Sequence, residues 1–89
     1  ELVSGRIAAC VNVLAPATAI YEWNGDVQRD TEYPMIIKTM PRHVAAVTAV
    51  VKARHSYEVP ALVVLPLAGG DAAYLGWIDH QTSPLPAAI

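Results

Sequence analysis

Eighty-nine residues make one domain, because two cores of half that size would not offset the entropy of ordering the chain. The six Lys and Arg are scattered and the formal charge is −2, which argues against a nucleic-acid surface. No apolar run approaches the roughly 20 residues of a membrane helix, so no membrane insertion is expected. The apolar share is 54%, high for so small a domain, and self-association is the simplest cover for the surplus. The lone Cys10 excludes an internal disulfide and fits a reducing compartment, read here as the cytoplasm.

Residues 1–7 read as the end of a helix, with Leu2 and Val3 able to face a core and Gly5 as the stop. From Ala9 to Leu14 the nearly continuous apolar run suits a buried strand, which Pro16 interrupts. Pairing resumes from Thr18 to Trp23. Asn24-Gly25 then supplies the two positive-φ positions of a type I′ hairpin turn. The return strand is predicted from Val27 to about Thr39, with a break near Pro34. Pro41 suits the first position of a helix, on which Val44, Val47, Val51 and Arg54 recur at helical spacing, with Val50 widening the stripe.

Val59 to Leu67 reads as a further strand. Pro60 and Pro66 share parity, so both missing N–H groups fall on one side of an extended chain, which places this strand beside an unpaired edge. Gly69-Gly70-Asp71 turns the chain, with Asp71 as N-cap of a short helix over 72–80. The tail 83–89 is irregular, since two prolines in three residues forbid a helix there. The whole reads as one α+β domain over 1–82, with the order helix end, β, β, α, β, α. That is a ferredoxin-like βαββαβ core lacking its first strand and most of its first helix.

Five segments, in order and at the right spacing, carry a resemblance to the CutA divalent-ion tolerance family. They are Ile7-Ala8-Ala9-Cys10-Val11-Asn12; Ala19-Ile20-Tyr21-Glu22-Trp23-Asn24-Gly25 with Glu32 and Lys38-Thr39 after it; His55-Ser56-Tyr57-Glu58-Val59-Pro60; Leu65-Pro66; and Tyr74-Leu75-Gly76-Trp77-Ile78. The resemblance implies a ferredoxin-like sandwich related to PII signalling proteins, with an antiparallel sheet and a long hairpin. It also implies a homotrimer joined by strand pairing and a link to tolerance of divalent metals, copper in particular. The family's first strand is expected upstream of Glu1, and Ser56 stands where the family usually has proline.

The copper site proposed in bacterial members uses a cysteine of that first strand and adjacent histidines. Here only His55 matches, because Arg54 holds the other position and cannot be a ligand. His55 is therefore the metal candidate, against an ordinary helix-end histidine. No cofactor is required; Cu(II) or another divalent metal is the ion to test. Cys10 reads as a buried structural thiol.

Lys38 is either an edge lysine that blocks aggregation or an anion contact in an inter-subunit cleft. Tyr57 and Glu58, on a loop, are candidates for the same cleft, or satisfy neighbouring groups. Trp23 and Trp77 read as packing residues, Trp23 with the further prospect of anchoring a neighbouring subunit. No nucleophile elbow, phosphate loop or zinc-type spacing is present, so the chain does not read as an enzyme. Two readings follow: a trimeric divalent-metal tolerance protein, or a PII-like signalling or scaffold trimer that binds a small anion or a partner protein between subunits.

Overall fold

The computed structural model describes residues 1–54 and 61–85. Among the described residues the strands and α-helices follow in the order β1 (Cys10–Val13), β2 (Ala17–Trp23), β3 (Asp26–Glu32), β4 (Met35–Lys38), α1 (Val44–Arg54) and α2 (Ala72–Gln81). The architecture is α+β with antiparallel pairing, in two ladders: β1 with β4 and β2 with β3.

The two ladders form one long hairpin bent in the middle. Asn24 (φ 52°) and Gly25 (φ 85°) occupy the left-handed positions that a type I′ turn requires. The return arm breaks at Tyr33-Pro34, where the sequence predicted it. Between Val13↔Met35 and Ala17↔Glu32, three residues on one arm (Leu14, Ala15, Pro16) face two on the other (Tyr33, Pro34). The extra residue acts as a bulge, and Pro16 and Pro34 have no N–H to pair across it. Leu14 N–H donates to the Pro34 carbonyl at 2.9 Å and keeps the ladders in step.

The amino-terminal turn is a helix end of Schellman type. Ile7 N–H donates to Leu2 O and Arg6 N–H to Val3 O, the paired bonds of that motif. The left-handed residue is Arg6 (φ 61°), not Gly5. Gly5 serves a different need: a Cβ there would lie 2.7 Å from the Glu1 carbonyl oxygen. Ala9 N–H then donates to Lys38 O, and Thr39 Oγ1 to Ile7 O at 2.5 Å, tying this turn to the end of β4.

Pro41 opens a 3-10 turn over Pro41–His43 that leads into α1. Val47 on the predicted stripe is buried, with Val44, Val50 and Val51 half-buried. Asp71, extended at φ −65° and ψ 129°, accepts from Tyr74 N–H at 3.0 Å and caps α2.

Three expectations are corrected. Residues 61–67 form no strand: they pair with no ladder among the described residues, and Val63, Leu65 and Leu67 are 81%, 80% and 73% exposed. A strand exists only with a hydrogen-bonding neighbour, and apolar composition does not supply one. Cys10 is half-buried rather than buried, and the run to Leu14 is exposed at Val13 and Leu14, because among the described residues β1 has a single ladder partner. The Val59-Pro60 part of the predicted strand lies outside the described residues.

The core is small. Among the described residues the buried apolar side chains are Ala8, Ala9, Val47 and Ile78, with Thr82 the buried polar one. The radius of gyration is 16.0 Å, where a compact chain of this length has about 12 Å.

Candidate functional site

β4 sets the first residue. Lys38 lies opposite Cys10 in the β1–β4 register, and Asn12 lies opposite Ile36, so these four side chains share a sheet face. α2 sets the next two. Tyr74 and Trp77 are three residues apart on a helix and therefore lie on one side of it. Their rings stack at 5.8 Å between centroids with an interplanar angle of 26°. Lys38 Nζ donates to Tyr74 Oη at 3.0 Å and lies 5.4 Å from the ring centroid. The bond to Tyr74 holds the Lys38 pKa above the ordinary value, with a smaller push from Cys10 beside it. Cys10 Sγ donates weakly to Asn12 Oδ1 at 3.7 Å.

A row therefore runs from ammonium to phenol to indole, and it stays open to solvent: Tyr74 is 42% and Trp77 40% exposed. The ammonium has no carboxylate partner among the described residues, where the ion pairs are Arg42–Asp79 and Arg54–Glu1. Such a row can hold a negative group against the ammonium and a flat apolar group against the rings.

A second cluster gathers at the carboxyl end of α2. Arg42 donates to Asp79 Oδ1 at 2.7 Å, to Asp79 O at 3.2 Å and to Ser83 Oγ at 3.2 Å. Arg6 donates to Ser83 O at 2.7 Å and His80 O at 2.8 Å, and His43 Nε2 bonds Thr82 O at 2.6 Å. Cations complement the negative end of a helix and satisfy its last carbonyls, which is what this cluster does. It occupies His43 in structure rather than ligation. Among the described residues, no group of three or more His, Cys, Asp or Glu side chains could hold a metal ion.

A groove of about 1730 Å³ is lined by Ile20, Tyr33, Ile37, Val47, Leu65 and Ile78 among others. It does not include Lys38, Tyr74 or Trp77. It exceeds the roughly 300–1,000 Å³ of small-molecule pockets, and exposed apolar chain walls it, so it has the character of an unfinished packing surface.

Of the sequence-predicted site residues, Lys38 and Trp77 come together in the row. Trp23 stands apart, 52% exposed at the hairpin end. His55, Tyr57 and Glu58 lie outside the described residues. Tyr74 is not among the sequence-predicted site residues; its spacing to Trp77 is the signal that the sequence offers for it.

These features define a class, an α+β domain built on a long bent hairpin with two helices and an exposed, unfinished apolar side. The chain matches the family described as CutA1 divalent ion tolerance protein over residues 1–81. The protein "CutA 1, chloroplastic" of Oryza sativa subsp. japonica is 42% identical over 82 residues, which are 92% of this chain and 46% of that one. The divalent-cation tolerance protein CutA of Thermus thermophilus is 42% identical over 81 residues, covering 91% of this chain and 79% of that one. The structure of the periplasmic divalent cation tolerance protein CutA from Archaeoglobus fulgidus superimposes with a TM-score of 0.88 at 36% identity, covering 92% of this chain and 79% of that one. This chain belongs to the CutA1 divalent ion tolerance family. It spans about half the length of the rice relative.

Proposed function

We propose that this chain is a subunit of a homotrimer that serves in tolerance of divalent metal ions, copper among them, through binding and assembly rather than catalysis. The family match over 1–81 carries the metal part of this reading. The assembly part is supported by the unfinished hairpin. Its two-stranded β2–β3 ladder has open edges among the described residues, and Ile20, Trp23 and Val27 are 62%, 52% and 75% exposed. An isolated two-stranded ribbon is marginal in water, and open apolar edges pair with other chains. Strand pairing between three subunits would cover those edges and complete a ferredoxin-like, PII-like sandwich. The free thiol of Cys10 fits the cytoplasm, although the relatives above include proteins named as chloroplastic and periplasmic. Among the described residues no helix is long and apolar enough to cross a membrane.

Light scattering at micromolar concentration tests the assembly: three chain masses are expected, and a clean monomer would overturn it. For the metal, the expected result is restored growth on Cu(II) when the chain is expressed in a host lacking its own family member. Titration with Cu(II), repeated on His55→Ala, tests the ligand, and unchanged affinity and stoichiometry would remove His55 from the site.

One observation favours a second reading, a PII-like trimer that binds a small anion with Lys38, Tyr57 and Glu58. Lys38 is a fixed cation with no acidic partner among the described residues. A thermal-shift screen separates the two readings, because a ligand selective for the folded state raises the melting point. Stabilisation by metals alone supports the first, and stabilisation by carboxylates or phosphate without metal supports the second.

A further inference from the structure

We infer that Lys38, Tyr74 and Trp77 form a binding site for a small carboxylate with an aromatic tail. The inference deepens the anion reading and rests on it through Lys38, but all three residues come from one chain, so it needs no inter-subunit cleft.

The head-group end is the Lys38 ammonium. An ammonium carries three donors, and one is used on Tyr74 Oη at 3.0 Å. The phenol accepts that bond and keeps its own O–H as a donor. Two donor groups side by side match the two oxygens of a carboxylate. Tethering to the phenol and its ring removes part of the rotamer entropy that a free lysine loses on binding.

The tail end is the aromatic pair. Trp77 stacks with Tyr74 at 5.8 Å between centroids and is 40% exposed. Ile36, two residues before Lys38 on the same strand face, is 52% exposed and adds apolar surface on the β4 side. A ligand that joins a flat apolar group to a carboxylate matches this sequence of surfaces, whereas phosphate matches the ammonium alone.

The nearby acid is accounted for. Asp71, at the amino end of α2, directs its carboxylate at Tyr74 N–H (3.0 Å) as the helix cap and makes no ion pair with Lys38. Cys10 beside Lys38 offers a weak donor whose bond goes to Asn12.

The test is calorimetric titration of the full-length assembled protein with benzoate, acetate and inorganic phosphate. Benzoate is expected to bind saturably and about tenfold more tightly than acetate, from the buried ring. Lys38→Met is expected to weaken benzoate about tenfold or more, and Lys38→Arg to retain most of the affinity, with melting points showing that both fold. Tyr74→Phe is expected to lose a few-fold, and Trp77→Leu to remove the preference for benzoate over acetate.

Binding of none of the three anions overturns both this inference and the anion reading. Equal affinity for benzoate and acetate, or benzoate binding unchanged in Lys38→Met and Trp77→Leu, overturns this inference alone. Benzoate binding that is intact in Tyr57→Phe and Glu58→Gln but lost in Lys38→Met supports this inference.

Discussion

The β2–β3 hairpin and the carboxyl end of α2 are opposites. At the α2 end the buried polar side-chain atoms among the described residues all have partners. Arg6, Arg42 and His43 converge on the carbonyls of Asp79, His80, Thr82 and Ser83, and Thr82 is 1% exposed with its hydroxyl on Ile78 O. At the hairpin, the ladder is regular and the turn ideal, yet Ile20, Trp23 and Val27 face solvent. One region is finished by its own sequence. The other has regular local geometry and, among the described residues, little to cover its apolar side chains.

The sharpest way to break this contrast is to damage the finished side. Ile78 is 4% exposed beside the α2 clasp. Ile78→Ala should cost about 3 kcal/mol through lost burial and the cavity left behind, measured by urea unfolding at fixed protein concentration. A cost below 1 kcal/mol would mean that this core is not the one that holds the fold.

Arg42→Ala comes next, at about 1–2 kcal/mol. Its ion pair with Asp79 is roughly half exposed on both sides, so that pair alone contributes little. The larger part is the bond to the Asp79 carbonyl and the bonds to Thr82 and Ser83, lost together. Asp79→Asn separates the two contributions: it removes the charge and should cost less than half as much.

On the hairpin, Gly25→Ala should cost about 1 kcal/mol, because φ is 85° there and an L residue is strained whatever the space. Ile20→Lys is the complementary change. It buries nothing new and removes nothing buried, so the chain's own fold should move by under about 0.5 kcal/mol. The mass by light scattering should fall, because a lysine at that position opposes the covering of the β2–β3 face. An unchanged mass with Ile20→Lys would show that this face is not where subunits meet.

The same contrast explains what the sequence reveals. Local rules resolve the elements that depend on near neighbours: Asn24-Gly25 for the turn, Pro34 for the break, Pro41 for the start of α1's 3-10 lead, and Asp71 for the α2 cap. The residues 61–67 have strand composition and no strand, because a ladder needs a partner that apolarity does not specify. The bulge between Val13 and Ala17 was not legible either, since register depends on which residues face each other across the gap. The α2 clasp joins residues about forty to eighty positions apart, and nothing in Arg6 or Arg42 by itself points to α2. In the candidate site, Lys38 was visible as a charge in an apolar strand. Its partner was not, because Tyr74, 36 residues away, meets it only through the tertiary docking that brings α2 beside Lys38.

The smallest effect is the one that tests that docking most directly. Lys38 has its pKa raised, first by the hydrogen bond to Tyr74. A lysine whose folded value lies above the ordinary 10.5 contributes stability that is fully present below 10.5 and disappears as pH rises through the folded value. Across neutral pH the contribution is constant; only the alkaline side can reveal it. The melting point of the wild type should therefore fall more steeply above pH 10.5 than that of Lys38→Met, which has no proton to lose there. Tyr74→Phe should also flatten the slope, because it removes the acceptor while keeping the ring, and leaves only the weaker cation–ring contact at 5.4 Å. Since Lys38 lies at the surface and keeps part of its side chain in water, the difference in melting point should be small, on the order of a degree, and salt should reduce it. Parallel alkaline slopes in all three proteins would mean that the Lys38–Tyr74 bond does not persist in solution, and the row from ammonium to indole would lose its fixed end.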